Sequence, residues 1–156
     1  MSQENVKLAG EAYDAFNRRE LDSLLGLMDP DVDLVPQLAA VEGEYHGHDG
    51  IRRWWQALLD AWPDYKAEIV ELRDLGPATL AKVRIGGHAA DSGIPVTETS
   101  WHVWRWRRKR AIWFAVFPTE ADALEAAGRL VWCKENLPPL HPTSFIVKVP
   151  MSPRCR

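Results

Sequence analysis

The chain predicts an α+β domain in which three helices come first, a sheet follows and one more helix closes the fold, and three patterns carry that prediction. Apolar residues recur at helical spacing up to Trp62, short runs alternate with a period of two from Tyr65 to Phe117, and a capped helix begins at Thr119. At 156 residues, 46% apolar and 26% charged, the chain suits one domain with a real core and excludes disordered or collagen-like classes.

The first helix is expected from about Gln3 to Asn17 after a Ser2 cap, with Val6, Ala9, Tyr13 and Phe16 as its inward stripe. Leu21, Leu24, Leu25 and Met28 mark a second short helix, which the Asp29-Pro30-Asp31 turn should end. Val32 to Val35 reads as a short strand followed by a loop. Ile51, Trp54, Trp55, Leu58, Leu59 and Trp62 form one face of a third helix, stopped by Pro63. Four alternating runs follow at about 65–74, 78–88, 95–106 and 111–117, separated by turn residues, and they read as an antiparallel meander. The last helix starts from a Thr119 cap with Asp122 at its third position and should end at Gly128.

Residues 129–156 hold five prolines and both cysteines, Cys133 and Cys155, with no regular period. They are expected to form an extension of the 1–128 domain that docks on it or crosses to a partner chain, anchored by Phe145, Ile146 and Val147. With no other cysteines, the body carries neither a disulfide framework nor a thiolate metal site. Nineteen basic against 22 acidic residues leave a net charge of −3, which gives no general attraction to nucleic acid or to an anionic membrane. No apolar run approaches the roughly 20 residues of a membrane span, and the polar start lacks the pattern of a signal peptide, so a cytoplasmic location is expected.

The run Thr97-Glu-Thr-Ser-Trp-His-Val-Trp-Arg-Trp106 carries the candidate site, because alternation places Glu98, Ser100, His102, Trp104 and Trp106 on one strand face. An imidazole in an aromatic wall is either an acid/base group over an apolar ligand or a core histidine satisfied by a backbone group. Glu98 lies roughly 13 Å along the strand from His102, too far for a dyad, so any partner comes from Tyr13, Asp33 or His88. If the site is catalytic, His102 is the general acid/base and Tyr13 the oxyanion donor, with Asp33 a candidate only if its strand is shifted. Phe16, Trp54, Trp55, His88, Glu98, Ser100, Trp104 and Phe117 are the expected ligand contacts. Tryptophans 54, 55, 62, 101, 104, 106 and 113 exceed what a small core hides, so some should line a cavity or a subunit contact, with Trp101 and Val103 on the opposite face suited to the latter.

His46-Gly47-His48 is too sparse for a metal site and reads as a loop in which His48 or Asp49 caps the third helix. No metal or other cofactor is expected. Arg105 and the Arg107-Arg108-Lys109-Arg110 turn form a basic run, but the acidic remainder makes nucleic acid an unfavoured partner.

The phrases Tyr13-Asp14-Ala15-Phe16-Asn17, Asp29-Pro30-Asp31-Val32, Gly47-His48-Asp49-Gly50-Ile51 and His102-Val103-Trp104-Arg105-Trp106, in this order, resemble the SnoaL-like branch of the nuclear-transport-factor-2-like superfamily, which includes polyketide cyclases and ketosteroid isomerases. The resemblance covers about residues 4–128. It implies a cone in which a strongly bent antiparallel sheet wraps the helices around an open-ended pocket, and a homodimer through the outer sheet face. It places His102 where such relatives carry an aspartic acid acting at the ligand oxygen. The isomerases' general base would fall just before Pro36, where this chain has Val35, and Asp33 is about 7 Å away along the strand. Two functions are therefore expected of the pocket: acid/base catalysis, cyclase- or isomerase-like, on a small, largely apolar carbonyl compound, or non-enzymatic binding or dimeric assembly by the same fold.

Overall fold

A computed structural model describes residues 2–134, with side chains over 3–128. Its helices are α1 (Ser2–Asn17), α2 (Leu21–Gly26), α3 (Ala39–Glu42), α4 (Gly47–Ala61) and α5 (Glu120–Lys134). The strands are β1 (Met28–Val35), β2 (Tyr45–His46), β3 (Lys66–Asp74), β4 (Ala78–His88), β5 (Pro95–Arg107) and β6 (Arg110–Phe117). They form one open six-stranded sheet in the order β2-β1-β6-β5-β4-β3. The expected meander is present as β3–β6, but the sheet is mixed rather than purely antiparallel, since β1 runs parallel to β6. That connection is long enough to be parallel because the helices and the meander intervene between the two strands.

The inner sheet face packs on α1, α2 and α4. Ala9, Ala12, Tyr13, Phe16, Leu24, Leu25, Ile51 and Trp55 from the helices meet Val32, Leu34, Ala81, Val83, Ile85, Trp104 and Phe114 from the strands. On the outer face, α5 lays Ala123, Ala126 and Ala127 over Ala78, Leu80, Val103, Trp113 and Ala115. The alanines let the helix approach closely, so β4 is buried on both faces from Ala78 to Ala81 and alternates only beyond, where Lys82 and Arg84 turn outward. This corrects the expectation for Val103, which is fully buried under α5 and not free for a subunit contact. Trp101 stays partly exposed, with the Lys82 ammonium 5.4 Å from its ring centre.

Three register breaks interrupt the ladders: between Met28 and Asp33 on β1, at Val70 on β3 and at Ile112 on β6. Each adds unpaired backbone to one strand and bends the sheet, which suits wrapping around helices. The β1 break contains Asp29-Pro30-Asp31, so this segment belongs to a strand that begins at Met28, and α2 ends earlier, at Gly26. Pro30 has no N–H to give a ladder and is tolerated where the pairing is interrupted.

Two interactions fix α1 against the sheet edge. Asn17 donates through Nδ2 to the Ala67 carbonyl at 2.8 Å and accepts the Ala67 N–H at 3.0 Å, so its amide pairs as one residue of a strand would. The Arg19 guanidinium donates to the carbonyls of Pro63 and Tyr65 beyond the end of α4. At the start of α4, Gly47 has φ +71° and a Cβ there would lie 3.2 Å from the Pro30 carbonyl; one at Gly50 would lie 3.1 Å from the backbone of Tyr45. The Gly-His-Asp-Gly phrase is thus a demand for close approach. Neither His48 nor Asp49 caps this helix. The cap position is His46, whose side chain makes no capping bond, while His48 Nε2 reaches the Met28 carbonyl at 3.0 Å and Asp49 pairs with Arg52.

Thr119 does cap α5, its Oγ1 accepting the Asp122 N–H at 3.2 Å. The helix then passes through Gly128 to Lys134 instead of ending there, because α5 has no left-handed residue at that point to stop it. Of the extension expected at 129–156, residues 129–134 continue α5 instead, and the rest, with Phe145, Ile146 and Val147, lies outside the described residues. Among the described residues no helix is long and apolar enough to cross a membrane.

The β5–β6 hairpin turns through Arg108 and Lys109, with φ of 53° and 66°. Both are left-handed, as a two-residue turn of this hand requires, and both carry a Cβ that this conformation crowds. Replacing the pair by Asn-Gly (Arg108→Asn with Lys109→Gly) should stabilise the protein by about 1 kcal/mol, a gain of several degrees in Tm by calorimetry. An unchanged or lower Tm would mean that the turn holds no such strain.

Candidate functional site

A cavity of about 370 Å³ opens between the inner sheet face and the helices. Its floor is made by Tyr13 of α1, His102 and Trp104 of β5 and Phe114 of β6. Leu24, Met28 and Leu34 close one side, and Phe16, Trp54 and Tyr65 the other. The rim is formed by the α3 region, with the exposed Leu38 and Glu42, by the end of α4 at Trp62, and by Glu98. Seven of the sequence-predicted residues are brought together here: Tyr13, His102, Phe16, Trp54, Glu98, Ser100 and Trp104.

Four are placed elsewhere. Asp33 points away from the cavity because its neighbour Leu34 points in; its carboxylate meets His46 of β2 at 2.8 Å. His88, at the exposed end of β4, binds Asp64 through both its backbone N–H and its ring, each at 2.7 Å, and these bonds hold the Asp64 carboxyl below its usual range. Trp55 packs edge-on against Phe16 in the core and does not line the cavity. Phe117 lies on the outer face, opposite Trp101. The cause is Ile112. An unbulged hairpin through Arg108 and Lys109 would set Phe117 opposite Ser100 on the inner face, whereas the one extra residue reverses the parity and brings Phe114 and Val116 inward opposite Trp104 and His102.

The floor is a chain of three polar groups among rings. Trp104 donates its indole N–H to Tyr13 Oη at 3.0 Å, and Tyr13 Oη lies 2.6 Å from His102 Nδ1. Indole can only donate, so the phenol oxygen is an acceptor toward Trp104, and its single hydrogen is free to point at Nδ1. If Nδ1 carried a proton instead, the phenol would accept twice and leave its own hydrogen buried without an acceptor. The neutral ring therefore bears its hydrogen on Nε2. Phe114 presses edge-on against the imidazole, with ring centres 5.1 Å apart, and Trp106 stacks behind Trp104 while donating to Thr79 Oγ1 at 3.1 Å.

Burial without a compensating carboxylate governs the electrostatics. His102 is pushed down from 6.5 to about 3 because its cation would be desolvated, and Tyr13 is pushed up for the same reason applied to its anion. Toward the mouth, Tyr65 is raised to about 12, first by burial and then by the charge of Glu98. Ser100 Oγ, between Glu98 and His102 on the strand, is buried and has no hydrogen-bond partner. Among the described residues, no three His, Cys, Asp or Glu side chains cluster as a metal ion would need.

The sequence reading did not name Met28, Leu34, Tyr45, Phe114, Val116 or the 36–42 segment as cavity residues. For β6 the signal was absent until the bulge was known. For β1 it was present in the alternation of Val32 and Leu34, both fully buried, against Asp33.

Stability should record the buried imidazole. Between about pH 6.5 and 3 the unfolded chain binds a proton at this ring that the folded chain refuses, so its contribution is complete above pH 6.5 and is lost on acidification, by at most about 1.4 kcal/mol per pH unit. Thermal melts from pH 7 to pH 4 should show a shallower decline in a His102→Gln variant than in the native protein. Parallel declines would mean that His102 is not held neutral.

No curated protein matches the chain. Among solved structures, an NTF2-like protein of unknown function from Burkholderia pseudomallei shares 24% identity over 78% of this chain and 95% of its own, with a TM-score of 0.69. A Sinorhizobium meliloti protein given a provisional polyketide-cyclase assignment shares 24% over 70% of this chain and 93% of its own, with a TM-score of 0.60. TerC, co-crystallised with polyporic acid, shares 19% over 78% of this chain and 96% of its own, with a TM-score of 0.68. These likenesses establish the fold. The SnoaL-like domain family matches residues 9–113, from the middle of the first helix to the middle of the last strand, which include Tyr13, His102 and Trp104 of the cavity floor; the chain belongs to the SnoaL-like domain family.

Proposed function

We propose that the cavity binds a small, largely apolar carbonyl compound and promotes cyclase- or isomerase-like acid/base chemistry on it without a cofactor. The observation that carries this reading is His102 in the cavity wall with its Nδ1 2.6 Å from Tyr13 Oη, which leaves Nε2–H as the ring's donor for a ligand among walls that are mostly apolar. Such a donor polarises a carbonyl oxygen and stabilises the negative charge that gathers there as the carbon beside it loses a proton. In a water-poor pocket, a fixed dipole does this without the reorganisation that solvent would need.

In this proposal His102 takes the oxyanion-donor role expected of Tyr13, and Tyr13 becomes a positioning residue. Tyr13 gives its hydrogen to Nδ1 and so positions the imidazole, while His102 faces the ligand oxygen. The imidazole holds its Nε2 hydrogen as a bond donor and does not release it, because drawing a replacement from Tyr13 would leave a buried tyrosinate, and burial opposes that anion. Glu98, exposed at the rim and roughly 13 Å along the strand from His102, is the carboxylate that takes the proton lost beside the carbonyl, relayed by water in the open mouth of the cavity. The SnoaL-like family assignment and the likeness to a provisionally assigned polyketide cyclase support chemistry of this class, and the co-crystallisation of TerC with polyporic acid supports a small organic ligand in this fold.

The rim position of Glu98 also favours a second reading, binding without turnover or as part of a dimeric assembly, since among the described residues no carboxylate stands beside His102 at the floor. One experiment separates the two. Hydrogen–deuterium exchange at the carbon next to the carbonyl of 1-tetralone, followed by proton NMR in heavy water, should be accelerated by the native protein. The rate should fall by about 10²–10³ in a His102→Ala variant, as for loss of an oxyanion donor. Quenching of tryptophan fluorescence by 1-tetralone with no acceleration of exchange would select the binding reading.

A further inference from the structure

Ser100 is the one buried hydroxyl of the cavity wall that the foregoing chemistry does not use. It is 2% exposed, its Oγ has no hydrogen-bond partner, and it lines the cavity one step nearer the mouth than His102 on the same face of β5. A buried hydroxyl without a partner is destabilising, a cost that an alanine at this position would not incur. Its neighbours offer no other explanation: the residue opposite on β4 is Val83, and the bonds of the Trp104, Tyr13 and His102 chain do not include Ser100.

We propose that Ser100 is a specificity-determining residue that receives a second oxygen of the ligand, so that the site reads a planar ring carrying two oxygen functions about one ring-width apart. Residues 100 and 102 are separated by roughly 6–7 Å along the strand, comparable to the span of oxygens on opposite sides of a six-membered ring and its substituents. The two positions differ in kind. His102 Nε2–H only donates, so the deeper oxygen must accept, as the carbonyl of the proposed reaction does, whereas Ser100 both donates and accepts and takes either a hydroxyl or a second carbonyl. Phe16 and Trp54 supply flat apolar walls between the rim and the floor.

This inference rests on the cavity reading above, and its test keeps the two separable. Binding of 1-tetralone and of 6-hydroxy-1-tetralone, which differ by one hydroxyl across the ring from the carbonyl, would be measured by calorimetry on the native protein and on Ser100→Ala and His102→Gln variants. The hydroxylated probe should bind the native protein about tenfold tighter, and Ser100→Ala should erase that preference while leaving 1-tetralone unchanged; His102→Gln should weaken both probes alike. A preference that persists in Ser100→Ala, or that is absent in the native protein, overturns the role of Ser100 while the His102 reading stands. Failure of both probes to bind the native protein overturns both. The melting temperature of Ser100→Ala gives an independent check. It should equal or exceed that of the native protein, and a drop of several degrees would show the hydroxyl to be structural, against the proposal.

Discussion

The hydrogen-bond chain from Trp104 through Tyr13 to His102 is the constraint around which the site is built. It joins the first helix to the middle of the sheet, 89 residues apart in sequence between Tyr13 and His102. Because indole is a pure donor, the chain has a direction, and that direction decides which nitrogen of the imidazole carries hydrogen. Burial then removes the alternatives of charging the ring or ionising the phenol. A group that would titrate near neutrality in water becomes a fixed neutral donor. The same burial that protects this state requires the aromatic packing of Phe114, Trp106 and Phe16, so the core and the site are made of the same side chains.

The sheet makes this possible by being covered on both faces. One end of its outer face is sealed by the alanine stripe of α5, which leaves the inner face free to curve around α1 and α4 without the strands themselves being exposed there. Bulges at Val70 and Ile112 supply local bending, and the one at Ile112 also chooses which residues of β6 see the cavity. A change of register by one residue would exchange Phe114 for Trp113 beneath the imidazole. The position of a ligand wall is therefore set by backbone geometry several residues away from it.

Much of this was legible in the residues and some was not, for identifiable reasons. The two-residue period of 97–106 correctly puts Ser100, His102 and Trp104 on a common face, and helical spacing puts Tyr13 and Phe16 opposite them, because period is a direct consequence of backbone geometry. Asp33 and His88 were drawn toward His102 by their chemistry alone; strand parity excludes the first, and the second lies at a strand end held by Asp64. Phe117 failed because a bulge leaves no mark in a sequence that lacks Gly or Asn at the site. The segment at Asp29-Pro30-Asp31 looked like a turn, yet a strand absorbs it by breaking its pairing there. The direction of the hydrogen-bond chain was beyond sequence reasoning, since it depends on Trp104 reaching Tyr13 and not merely on both being inside.

The most direct test of this account is the tautomer of His102 itself. A long-range proton–nitrogen correlation spectrum of the uniformly labelled protein distinguishes hydrogen on Nε2 from hydrogen on Nδ1 and follows the ring on acidification. The account predicts an Nε2–H ring that stays neutral from pH 7 down to about pH 4, in keeping with burial that moves its titration to about 3. A ring protonated on Nδ1, or one that titrates near its ordinary 6.5, would contradict it.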